Sequence, residues 1–159
     1  MPKRPYPGRS RTSRGLPDLR SIPADLPLAE PASDPLAYAA FCNEHWTVYC
    51  RFGSAVVGSP RRGRELARAA LREVAAHWMV ILGSASADAA AWDLLSRTCA
   101  ARRTEPVGRL HRVLGRREAD ALVLRHKVGL TAWQAGRAMG LSEADFGLLY
   151  SRALLGLNV

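Results

Sequence analysis

From residue 34 onward, the apolar positions of this 159-residue chain recur at intervals of three and four, the period of one helix face. Tyr38, Phe41, His45, Val48, Tyr49 and Phe52 form the first stripe. Asp34 stands ahead of it as a cap, with Pro35 at the first helical position. Gly58-Ser59-Pro60 ends this helix. A second helix is expected over residues 61–82. It turns Leu66, Ala69 or Ala70, Val74, His77 or Trp78 and Ile81 inward, and Arg61, Arg62, Arg64, Arg68 and Arg72 outward. Gly83-Ser84-Ala85-Ser86 breaks it. A third helix, over residues 87–102, carries Trp92, Leu95 and Cys99 in or near the core. Beyond Thr104-Glu105-Pro106 the pattern predicts helices over 107–114 and 117–127, then over 131–139, and a last one from Ser142 to about Leu155. No stretch alternates with a period of two, so the expected fold is all-α. It divides into two small helical units, 36–103 and 107–159.

Residues 1–35 break every such period. Eight prolines, at 2, 5, 7, 17, 23, 27, 31 and 35, leave room for neither helix nor strand, so this segment is expected to be a disordered basic arm. Lys3, Arg4, Arg9, Arg11, Arg14 and Arg20 face Asp18 alone within its first 20 residues. Two readings are open: a solvated tail, or a non-specific phosphate-binding arm with Tyr6 available for stacking.

The last third of the chain reads as a helix-turn-helix. Thr131 with Gln134, and Ser142 with Asp145, have capping-box spacing. Gly140-Leu141 makes the turn, and Ala135-Gly136 supplies the small residues that two crossing helices need. Met139, Leu141, Phe146 and Tyr150 can fill the space between them.

The residues ahead of this hairpin resemble the fourth conserved region of bacterial sigma factors. The likeness rests on Arg117-Glu118, on Leu122 to Arg125, on Gly129-Leu130 and on Gly140-Leu141-Ser142-Glu143. The first helical unit is similar to a degenerate second region of the extracytoplasmic-function group, through Phe41, His45, Tyr49, Gly58-Ser59-Pro60, His77-Trp78 and Ala91-Trp92. The resemblance implies a sigma-factor-like transcription regulator that acts through the helix-turn-helix on RNA polymerase or promoter DNA. Arg125, Arg137, Ser142, Ser151 and Arg152, with the basic run Arg102, Arg103, Arg109, Arg112, Arg116 and Arg117, are then the DNA-contacting candidates. That run has a second open reading, as a solvated face.

The chain departs from the family in two places. Family members carry mainly acidic residues and Gln on the long helix of the second region, where this chain has Arg64, Glu65, Arg68 and Ala69. In the recognition helix, the positions usually held by Thr, a small apolar residue, Lys or Arg, Ser and Arg are here Asp145, Phe146, Gly147, Leu148 and Leu149. The outward face becomes Ala144, Gly147, Leu148, Ser151 and Leu155. From residue 130 to the end, Arg137 and Arg152 are balanced by Glu143 and Asp145, so this segment lacks the net positive charge that drives phosphate binding. A second reading follows: a degenerate sigma-like module that binds a dedicated protein partner through Leu148, Leu149 and Leu155 and reads no DNA sequence.

Composition sharpens part of this picture. The net charge of +9 and pI near 10.5 favour an anionic partner. However, all but two of the 23 basic residues are Arg, so part of the excess is compositional. Cys42, Cys50 and Cys99 have no disulfide-framework spacing, and with His45 they match no common zinc pattern. They read as reduced structural thiols of a cytoplasmic protein. No secretory signal and no bilayer-spanning run is expected. Phosphate loops, serine elbows and His-Glu-x-x-His are missing from the sequence, so neither enzyme activity nor a cofactor is expected. His45, His77, His111 and His126 read as packing or surface residues.

Overall fold

The computed structural model describes residues 34–158; the arm expected over residues 1–35 lies outside them except for its last two positions. Among the described residues there are eight α-helices and no strand: α1 (Pro35–Val57), α2 (Pro60–Ala76), α3 (Trp78–Leu82), α4 (Ala87–Ala100), α5 (Glu105–Val113), α6 (Arg116–Leu122), α7 (Ala132–Met139) and α8 (Glu143–Leu157). Between α6 and α7 the chain runs on as a π turn, Val123–Val128. Among the described residues no helix is long and apolar enough to cross a membrane.

Local chemistry sets most of the boundaries. Asp34 Oδ1 accepts from the Ala37 amide, and the Ser59 and Ser86 side chains accept from Arg62 and Ala89. Each satisfies an amide that a helix start leaves unpaired. The second helix is shorter than its apolar period suggests. His77 Nδ1–H donates to the Glu73 carbonyl at 2.9 Å, competing with the helix for that acceptor. The backbone then leaves helical geometry at His77, with φ −114° and ψ 21°. Trp78 thereby turns inward, with its ring centroid 5.5 Å from those of both Tyr38 and Phe41.

The core is largely aromatic in the first half. Tyr38, Tyr49 and Phe52 are fully buried, and Trp92 of α4 packs edge-on to Phe52 at 4.6 Å. Helices α1 and α2 cross at backbone contact, because Gly53 and Gly63 face each other. One continuous core runs from these residues through Val107, Leu124 and Ala135 to Phe146 and Leu149. The Thr104 amide donates to the Val56 carbonyl at 2.9 Å, fixing the chain where it enters the second half. There α7 packs on α4, and the π turn packs on α1.

Candidate nucleic-acid and partner interface

The hairpin of α7 and α8 is built as its caps predict. The Thr131 hydroxyl accepts from the Gln134 amide while the Gln134 side chain accepts from the Thr131 amide, a closed capping box. At the second start only half of that exchange forms, with Ser142 Oγ accepting from the Asp145 amide at 3.1 Å. Gly140 adopts φ +70° between the helices, a left-handed conformation that glycine takes without strain. It also touches the start of α4: a Cβ here would lie 2.4 Å from the Ala89 amide nitrogen. Close crossing depends on Gly136, where a Cβ would meet the Leu141 carbonyl oxygen at 2.9 Å and Phe146 Cβ at 3.3 Å. Met139 and Phe146 are fully buried at this crossing, and Leu141 and Tyr150 are half-buried against it.

The entry to α7 is braced from inside. The Gly129 and Leu130 amides both return to the Leu124 carbonyl, closing the π turn with Gly129 at φ +79°. The Arg125 guanidinium donates to the Leu130 carbonyl and lies 5.7 Å from the centre of the Tyr150 ring, a cation–π distance. Arg125 therefore holds α8 to the π turn, and its half-buried side chain is committed within the fold. Arg137 is exposed but also engaged: it pairs with Glu44 of α1 and stacks 5.2 Å above Trp133.

The α8 candidates separate cleanly. Ser142, Ser151 and Arg152 are exposed, and Arg152 makes no ion pair among the described residues. Leu148 and Leu155 stand out on the same face, 60% and 68% exposed. Leu149 does not join them. It is buried, on the Phe146 side of the helix and in the common core, so it cannot present itself to a partner. The sequence held that signal, since Phe146, Leu149 and Ala153 follow the three-and-four spacing of a buried stripe.

Half of the basic run is ion-paired within the fold. Arg109 and Arg112 both reach Glu105, and Arg116 reaches Asp93. Arg112 and Arg109 hold the Glu105 carboxyl below its ordinary value. Arg103 is half-buried; burial lowers its guanidinium and Asp120 opposes that. Arg102 and Arg117 remain exposed without carboxylate partners among the described residues.

Sequence spacing gave no sign of the polar network beneath this run. Asp120 of α6 is 1% exposed. Its carboxylate accepts from Trp92 Nε1–H of α4 at 3.1 Å and from His111 Nε2–H of α5 at 2.8 Å. His111 Nδ1–H donates in turn to the Val107 carbonyl at 2.9 Å. Both ring nitrogens are thereby engaged with oxygen atoms of the fold.

The thiols are unpaired. Burial pushes Cys50 up to about 11 and Cys99 up to about 12, which keeps both protonated and poorly nucleophilic at neutral pH. Among the described residues no group of three or more His, Cys, Asp or Glu side chains is placed to hold a metal. Comparisons with protein-family models, with curated proteins and with solved structures found no match to this chain.

Proposed function

We propose that this chain is a sigma-factor-like transcription regulator that acts through its helix-turn-helix on RNA polymerase or promoter DNA. The observation that carries this reading is the α7–α8 hairpin. Its caps, its left-handed glycine turn and its glycine-mediated crossing are those a DNA-engaging hairpin requires, and they follow the residues that resemble the fourth sigma region. On this reading the protein is a cytoplasmic non-enzyme with no cofactor. Of the expected contacts, Ser142, Ser151 and Arg152 are accessible to DNA; Arg125 and Arg137 serve the fold first.

The exposed Leu148 and Leu155 favour a second reading, in which α8 docks on a dedicated transcription protein and no sequence is read. Gel-shift titration of duplex DNA at several salt concentrations separates the two. Direct reading predicts a sequence preference that disappears in Ser151→Ala and Arg152→Gln while weak, sequence-independent binding persists. Absence of any DNA binding at low salt in the wild type would contradict DNA contact and leave the protein-docking reading standing.

A further inference from the structure

We propose that the groove between α1, the start of α2 and the π turn grips the phosphate backbone of DNA. This inference rests on the DNA-contact reading above and adds a second surface, away from the face of α8. The groove has a volume of about 660 Å³ and is lined by Trp46, Thr47, Arg51, Arg64 and Lys127 among others. Three cations line it, and no carboxylate does. Elsewhere on this protein Arg61, Arg97, Arg109, Arg112, Arg116 and Arg137 are ion-paired, while Arg62, Arg72, Arg102, Arg117 and Arg152 stand exposed without a carboxylate partner among the described residues. Arg64 and Lys127 are exposed and have no carboxylate partner among the described residues.

The fold gathers these charges from distant parts of the chain. Arg51 of α1 donates to the Val128 carbonyl, which holds the π turn against α1 and places Lys127 beside the groove. Arg68 lies 5.7 Å over the Trp46 ring at the same wall; its Nε is buried with no hydrogen-bond acceptor. The fields of Arg64 and Arg68 both reach the Cys50 thiol on the groove floor, where they oppose the effect of burial.

Like charges gathered with no carboxylate among them repel one another. A row of phosphates relieves that repulsion and releases the counter-ions it brings. Lysine and arginine side chains neutralise phosphates whatever the base sequence between them. The expected contact is therefore sequence-independent.

The test uses the full chain and duplex DNA. Arg64→Gln with Lys127→Gln changes two exposed side chains, so circular dichroism and thermal melting should match wild type. In gel shifts over a salt series, the slope of log affinity against log salt should become shallower by about 1.8, which is about 0.9 for each phosphate no longer neutralised. The weakening should be the same for every DNA sequence. Arg72→Gln, on α2 outside the groove, serves as the charge control and should leave the slope unchanged. An unaltered slope in the double variant, or an equal weakening per charge in the control, overturns the groove and leaves the helix-turn-helix reading intact. Absence of DNA binding by the wild type at low salt overturns both.

Discussion

Asp120→Ala should destabilise the protein by about 3–5 kcal/mol, read as a lower urea midpoint with an unchanged slope. The carboxylate is 1% exposed and serves two donors, Trp92 from α4 and His111 from α5. Removing it strands a buried indole N–H and a buried imidazole side chain that is only 4% exposed. Leaving such groups unpaired costs more than the pair contributes. His111→Ala combined with Asp120→Ala should therefore cost clearly less than the sum of the two single substitutions, because the second change removes the stranded partner. Additive effects would show that the two side chains do not act as a unit. The network also explains why the two halves of the chain share one core: α4 from the first half is bonded to α6 from the second.

Gly63→Ala should lower stability by about 2–4 kcal/mol, although alanine is the better helix former by about 1 kcal/mol. A Cβ at Gly63 would lie 2.3 Å from the Ser54 amide nitrogen, so α1 and α2 would have to move apart along their most extensive contact. Both atoms at that clash belong to helices, which cannot yield as a long side chain can. Gly147→Ala provides the opposite case in the same protein. Gly147 sits within α8 and nothing lies within 4 Å of its added Cβ. Stability there should rise by about 0.5–1 kcal/mol. Thermal or urea melts of the two variants should move in opposite directions; a shift of the same sign in both would contradict the helix crossing described here.

These two sites also mark how far the sequence can be read. Helix starts are legible because caps act over three residues: Asp34, Ser59, Ser86, Thr131 and Ser142 each bond the amide three positions on. The small residue at Gly136 and the turn at Gly140 are legible for the same reason. The break at His77 is not, because the apolar period continues through Trp78 and Ile81. At that break the His77 ring bonds the Glu73 carbonyl, a contact the apolar period does not encode. Nor is the π turn legible, since its amides and those of an α-helix follow one residue pattern. The Trp92–Asp120–His111 network joins residues 28 and 9 positions apart, and the basic groove joins Arg51, Arg64 and Lys127. Such sites arise from how helices dock, which local spacing does not encode. On α8 the difficulty is of a different kind. Leu149 looks like a partner of its neighbour Leu148, yet one residue turns the helix by about 100° and sends the two side chains to different faces.

What remains most characteristic of the chain is a sound helix-turn-helix scaffold with an apolar outer face. Caps, turn and crossing are complete, while the outward side chains of α8 include four exposed leucines, Leu148, Leu154, Leu155 and Leu157, and a single cation, Arg152. That combination is the observation on which the protein-docking reading rests.

Affinity capture of the full chain from its native cell, followed by identification of the co-purifying proteins, tests the central claim most directly. The account predicts RNA polymerase subunits among the proteins retained by the wild type. Recovery of a single dedicated partner with no polymerase subunit would contradict it.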